Sequence, residues 1–288
     1  MHSDLISAGW AIAAAANLGT AMLTMRMGLR YASPLAGAAI GVPSTTLLFW
    51  CPAPFFLDLE AFSAPAAVLF ALVGLFFPAV VTFLTYSGNQ RMGPAITSAI
   101  SCTTPLFALA GAILFLDEAL TAGVVSGTAG IILGMLALTW NKAGIARTWP
   151  LWAIALPITA AAIRALAQVL TKAGLAFWAS PYAAGLIGYT VSAIVILIAV
   201  RAGGVKKPTD RRATPWFIAT GLLNGGGVFL TYVALNSGKV AMVSPIVATY
   251  PLFTLGLSLL FMRQERIGAR MVAGVVLTVA SVAVLLAF

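Results

Sequence analysis

Charge is what this 288-residue chain has least of. Only 8% of its residues are Asp, Glu, Lys or Arg, whereas 61% are apolar and the mean hydropathy is +1.03; a soluble domain carries about 25% charged residues. Too few charged side chains remain to cover a water-facing globule of this mass, so lipid is the solvent for most of the chain. That excludes cytosolic enzymes and soluble binding modules. Acids are the scarcest: all seven sit at termini, in loops or at the ends of apolar stretches, and the single histidine is His2. Proton relays in membranes use Asp, Glu or His at membrane depth, so coupling through a buried carboxylate is not expected. A membrane hydrolase or transferase has no buried acid/base pair or activated nucleophile to work with, and no catalytic residue is assigned. Cys51 and Cys102 lack a CxxC or His/Cys neighbour at metal spacing, which argues against a disulfide or a metal site. A P-loop and a glycine-rich phosphate cradle are also missing, so direct ATP drive in cis is excluded and no cofactor is expected. The opening MHSDLISAGW has neither a basic n-region nor a small-residue cleavage site, so the first apolar stretch is expected to remain in the mature protein.

What is present is long and apolar. Breaks of charge, Pro or Gly divide the chain into ten stretches near 5–29, 34–56, 66–88, 94–116, 122–140, 150–175, 181–200, 215–236, 240–262 and 267–287. Each has roughly the 20 residues a helix needs to cross a hydrocarbon core. Continuous apolar runs rule out barrel strands, which alternate. The expected fold is all-α and polytopic. The net charge of +9 does not call for a nucleic-acid partner, because the basic residues punctuate apolar stretches instead of forming one face. They read as a topology signal. On the N-terminal side of the membrane the basic residues are Lys172 and Lys239; thirteen lie on the other side, five of them in 201–213 (Arg201, Lys206, Lys207, Arg211, Arg212). The positive-inside rule then places both termini outside and that loop in the cytoplasm, in a membrane expected to be the bacterial cytoplasmic one.

Comparing the chain with itself at a lag of 146 reveals a repeat. Phe83-Leu84-Thr85-Tyr86 recurs as Phe229-Leu230-Thr231-Tyr232, Pro105-Leu106-Phe107 recurs as Pro251-Leu252-Phe253, and Gln90 maps onto Asn236. Two units follow, 1–143 and 144–288. Each holds five stretches, an odd number, so the second enters the membrane from the opposite side. Such inverted repeats build alternating access about a midplane site. With the Pro-Leu-Phe of the fourth and ninth stretches and the tail Leu116-Asp117-Glu118-Ala119-Leu120-Thr121, the chain resembles the EamA-type members of the drug/metabolite transporter superfamily. The resemblance implies a basket in which the first, third, fourth, sixth, eighth and ninth helices line a central cavity, with the fifth and tenth peripheral. It also implies transport of small metabolites, often export. Two departures stand out. Where members carry a Trp midway along the first and sixth helices, this chain has alanines around Ala14 and has Arg164. Members also keep their termini cytoplasmic, with basic residues between the second and third spans; here that loop reads Asp58-Leu59-Glu60, and we follow the charges.

Arg164 lies mid-stretch, where an arginine costs about 2.5–3.5 kcal/mol on insertion scales and must face the bundle interior or water. Gln168, Thr171 and Lys172 follow it on one helical face. A cavity along that face favours an anionic group; the alternative is a structural Arg164 bound to carbonyls. Asn17 and Thr20 form a face of the first helix, able to bind a solute or to pin two helices. Ser101 and Thr104 lie just before Pro105, which frees a carbonyl near Ser101; Tyr250 precedes Pro251 in the equivalent place. Kinks at both prolines are expected, for a gate or as static packing. Tyr86 and Tyr232 are expected near opposite membrane faces, as gates or as interfacial anchors. Asn224, the mate of Pro78, precedes Gly225-Gly226-Gly227, which should loosen its helix. Gly123/Gly127 and Gly130/Gly134 supply a small-residue face on the fifth helix, read as packing within the fold, with oligomeric state left open. The expected function is secondary transport, by facilitated efflux or exchange, of a small metabolite bearing an anionic group, such as an amino acid or organic acid. Membrane lipids are the other partner. The rivals are a carrier of neutral or cationic solutes with Arg164 structural, and a non-transporting scaffold or lipid-handling protein.

Overall fold

The structure, a computed structural model, describes residues 2–58, 60–92, 94–139, 149–202, 210–262 and 269–287. In chain order the helices are α1 (His2–Gly28), α2 (Pro34–Trp50), α3 (Ala53–Phe56), α4 (Ala64–Phe76), α5 (Ala79–Met92), α6 (Pro94–Ser101), α7 (Thr104–Leu116) and α8 (Ala122–Thr139). They continue as α9 (Ala155–Phe177, preceded by a 3-10 turn at Leu151–Ile154), α10 (Pro181–Ala202), α11 (Ala213–Ser237), α12 (Val240–Val247), α13 (Tyr250–Met262) and α14 (Ala269–Ala287). Among the described residues there is no strand. Among the described residues seven stretches are long and apolar enough to cross a membrane, and Pro34–Trp50, Thr104–Leu116 and Ala122–Leu138 are shorter apolar helices. The outer surface is apolar too: Leu47, Val68, Leu114, Phe115, Ile198, Leu260 and Val276 are all exposed. A surface of this kind needs lipid around it, and the protein is an integral membrane protein. The boundary expected between 143 and 144, and the basic residues Lys142, Arg147, Lys206, Lys207, Arg263 and Arg266, lie outside the described residues.

Several expected stretches prove to be broken helices. α4 and α5 are separated at Phe77-Pro78, α6 and α7 at Cys102-Thr103, and α12 and α13 at Ala248-Thr249. This corrects the expected kinks at Pro105 and Pro251. Both prolines sit in the first turn of a new helix, α7 and α13, where a missing N–H costs nothing. The free carbonyls are satisfied locally: Thr104 Oγ1 donates to the Ser101 carbonyl at 2.7 Å, and Thr103 and Thr249 donate equivalently to Ile100 and Ile246 at 2.7 Å. α7 ends at Asp117 in a left-handed conformation (φ 50°), with the Glu118 amide bonded back to the Ala112 carbonyl at 3.1 Å. A short polar residue tolerates that conformation. It turns the chain so that Glu118 reaches α12.

Helices approach closely where side chains are absent. A Cβ on Gly221 of α11 would strike the carbonyl oxygen of Gly41 on α2, and one on Gly74 of α4 would stand 2.6 Å from the Gly188 carbonyl of α10. α1 runs along α11, and α9 is packed by α4, α5 and α7. α8 and α14 pair chiefly with each other at the edge of the bundle; there Gly127, Gly130 and Gly134 fit against Leu285, Ser281 and Thr278. Gly225-Gly226-Gly227 does not loosen its helix, since α11 runs unbroken from Ala213 to Ser237. These glycines admit neighbours instead: a Cβ on Gly225 would collide with Thr45, one on Gly227 would lie 2.7 Å from Leu18, and Gly226 faces Asn17. Packing against α1 and α2 restores the stiffness that glycine alone removes.

Candidate functional site

A cavity of about 90 Å³, open on one side, lies among the helices. α9 contributes Arg164, Ala167 and Gln168 from one face, as the i, i+4 spacing requires. α11 contributes Thr220, Gly221, Asn224, Val228, Thr231 and Tyr232; the α4–α5 break contributes Phe77 and Pro78, followed by Val81, Thr82, Thr85 and Tyr86 from α5. Tyr189 of α10, Val247 of α12, Tyr250 of α13, residues 41, 42 and 45 of α2 and Leu18, Ala21, Met22 and Met25 of α1 complete the wall.

Among the described residues no carboxylate lines this cavity, and the lining around Arg164 includes tyrosines and amides. Arg164 interacts electrostatically with the hydroxyls of Tyr250 and Tyr189, and Tyr250 also meets Ser101 behind it. Asn224 Nδ2 donates to the Tyr189 hydroxyl oxygen at 3.1 Å, which leaves the Tyr189 proton free to donate elsewhere. Tyr232 interacts with Thr171. Two side-chain atoms of lining residues, Gln168 Oε1 and Thr85 Oγ1, are buried without a partner. Buried polar atoms are nearly always paired, so each such exception calls for an explanation. The arrangement offers a solute one positive charge with hydroxyl groups beside it.

Two clusters of different chemistry lie toward the two ends of the bundle. The one that includes Ser7, Lys172 and Glu118 is polar. Both oxygens of Glu118 accept from the backbone N–H groups of Val240 and Ala241, each at 2.9 Å, capping the start of α12. Lys172 Nζ donates to the Leu235 carbonyl at 2.7 Å and feels the Glu118 charge, and Ser7 Oγ donates to the Ala234 carbonyl at 2.8 Å. At the other end, bearing exposed Arg26, Arg30, Arg91, Arg211 and Arg212, the cluster is apolar: Met25, Tyr86, Ala213 and Phe217 form their own buried group. Tyr86 stacks on Phe217 with ring centroids 6.1 Å apart, and the Phe217 ring fills the space over Gly28 and Gly37.

The structure gathers Arg164, Gln168, Tyr86, Tyr232, Asn224 and Tyr250 into one cavity and leaves the other expected residues outside it. Asn17 Nδ2 bonds the Ala13 carbonyl at 3.1 Å and Thr20 Oγ1 the Ala16 carbonyl at 2.8 Å, both within α1. Ser101 Oγ donates to the Thr97 carbonyl at 2.8 Å, and Thr104 to Ser101. Pro105 and Pro251 lie in helix starts away from the lining. Tyr86 and Tyr232 are both buried, which corrects the interfacial-anchor alternative. The lining also departs from the expected set: α2 and α10, the second and seventh stretches, contribute, while no described residue of α6 or α7 does. Sequence reasoning missed Tyr189, Thr85 and Thr220. Thr85 was visible inside the repeated Phe-Leu-Thr-Tyr, whose other copy supplies Thr231; Tyr189 had no local signal.

A bundle of apolar helices around a polar cavity that holds an arginine is the build of a membrane transporter. The chain belongs to the EamA-like transporter family, whose model matches residues 5–140 and again 151–287. A solved chain described as "Crystal structure of protein" is similar in fold, with a TM-score of 0.74 at 16% identity over 99% of this chain and 96% of that one. No curated protein matches the sequence.

Proposed function

We propose that this protein is a secondary transporter that moves a small organic metabolite bearing an anionic group, an amino acid or organic acid, by facilitated efflux or exchange through alternating access. The observation that carries the reading is Arg164: a guanidinium in a cavity whose lining, among the described residues, holds no carboxylate. An ionisable side chain at membrane depth is costly and is kept for function, and the forked guanidinium matches a carboxylate with two parallel hydrogen bonds. Asn224, Gln168 and the Tyr189 and Tyr250 hydroxyls supply neutral hydrogen bonds. A cationic solute would meet like charge there.

We read the polar cluster around Glu118 and the apolar cluster around Phe217 as a polar and an apolar closure at opposite ends of the bundle, the arrangement alternating access requires. The architecture that goes with it is ten crossings in two inverted five-helix units, 1–143 and 144–288, the three short apolar helices completing the seven long ones. Its supports are the two family matches within one chain and the equivalent bonds of Thr103 and Thr249. We take the membrane to be the bacterial cytoplasmic one with both termini outside, on the Lys/Arg count. The test is flux of labelled anionic metabolites into proteoliposomes holding the purified protein. Arg164→Ala abolishes saturable flux; undiminished flux in that variant removes the reading.

A further inference from the structure

An apolar groove of about 180 Å³ lies between α2, α5 and α10, apart from the cavity. Its origin is the helix break at Phe77-Pro78. Before the break α4 packs closely along α10, with Gly74 against Gly188; after it the Ala79 amide donates to Ser192 Oγ of α10 at 2.9 Å, and beyond that bond α5 touches α10 far less. Val195, Ile196 and Ala199 of α10 form one wall of the gap so left, Ala79, Val80 and Phe83 of α5 the other, and Leu35 of α2 completes it. We propose that this groove seats one acyl chain of an anionic phospholipid from the leaflet at the arginine-rich end, with the headgroup held by Arg30 and Arg201.

Depth and chemistry select that occupant. Along α5, Ala79 lies about 18 Å from Arg91 at 1.5 Å per residue, and half of a hydrocarbon core is about 15 Å, so the groove runs the depth of one leaflet. Every lining side chain is apolar; nothing there holds a polar solute, whereas an acyl chain asks for no hydrogen bond. A chain lying between two helix walls also gains contacts that a chain on a convex surface lacks. At the leaflet surface, Arg201 follows Ala199 by two residues on α10 and Arg30 stands in the turn before α2, both exposed. Among the described residues Asp210 is the only acid at that end. Basic residues at the rim of a pocket between helices attract anionic headgroups. The seat also bears on the cavity, because Val81, Thr82 and Thr85 of the same α5 line it. One helix separates the two spaces, and a chain in the groove buttresses that helix from the lipid side.

The test is native mass spectrometry of the full chain extracted from vesicles of equal parts phosphatidylglycerol and phosphatidylcholine with identical oleoyl chains. One phospholipid is expected to stay bound, phosphatidylglycerol exceeding phosphatidylcholine by at least about fivefold, the contribution of one basic residue near a membrane surface. Ala199→Trp fills the groove from an exposed position and should release the lipid, whereas Leu114→Trp, on an exposed face of α7, should not. Replacing Arg30 and Arg201 together by Gln should bring the two lipids to parity while one is still retained. The proposal is overturned if the native chain keeps no lipid or keeps both equally, a comparison that needs no variant. It is also overturned if Ala199→Trp keeps as much lipid as the native chain, or if the double arginine variant retains the full preference. A dimer that Ala199→Trp dissociates would overturn it as well, by showing that the groove seats a second copy of the chain.

Discussion

Replacing Glu118 by Gln tests the polar closure where its geometry is most explicit. The carboxylate holds two backbone N–H groups at the start of α12, each at 2.9 Å, with Lys172 close enough to feel its charge. A hydrogen bond to a charged group is worth about 1.5–3 kcal/mol. The amide retains one oxygen acceptor but turns an NH2 group toward the second N–H, so one bond is lost and the other loses its charge assistance. Because Glu118 is half-buried, solvent offsets part of this, leaving a net cost of about 1–3 kcal/mol for the closed arrangement. That corresponds to roughly a fivefold to 150-fold shift toward opening at this end. With Cys51 and Cys102 replaced, a Val228→Cys reporter in the cavity wall reads the shift through its labelling rate with a membrane-impermeant maleimide added on the Glu118 side. Glu118→Gln is expected to raise that rate by the same factor while binding of a cavity ligand is retained. A rate within twofold of the parent, in a protein whose thermal midpoint has nonetheless fallen, would show that Glu118 is a static helix cap and refute its role in the closure.

The remaining predictions concern the site and the opposite closure. Arg164→Lys keeps the charge but loses the fork, so anion affinity in a calorimetric titration should fall by about tenfold, roughly 1.4 kcal/mol; an unchanged affinity would mean the planar geometry is not used. Phe217→Ala empties the space over Gly28 and Gly37 and should cost about 3–5 kcal/mol of stability. It should also speed labelling of the same Val228→Cys reporter from the arginine-rich side and not from the other. Equal acceleration from both sides would mean that the two closures do not act separately.

The scarcity of charge was enough to read the lipid environment, and all ten apolar stretches fall largely on described helices near the expected ranges. Arg164 and Gln168 were legible because helical spacing is local: four residues apart on a helix means one face whatever surrounds it. Asn17, Thr20 and Ser101 were misplaced for a related reason. A short polar side chain on a helix always has the carbonyl three or four residues back within reach, and here that local bond wins over the cavity. What sequence did not carry is the meeting of distant residues. Nothing near Glu118 signals that Val240 and Ala241 will stand over it, 122 and 123 residues later. Nothing around Tyr189 distinguishes it from a core tyrosine until Asn224 comes up against it. The broken helices were half-visible: Pro105 and Pro251 marked the neighbourhood, but whether a proline kinks a helix or starts the next depends on the two residues before it.

The pairing of α8 with α14 also has a consequence in time. A ribosome makes α8 about 130 residues before the partner against which Gly127, Gly130 and Gly134 fit. During that interval the glycine face of α8 has only lipid against it, and no apolar driving force distinguishes the right neighbour from a wrong one. Insertion of the early helices and completion of the fold are therefore separate events in the life of each molecule. A stall or cleavage between them leaves a membrane-embedded half with its docking face open, a form that a cell's quality control would meet before any solute did.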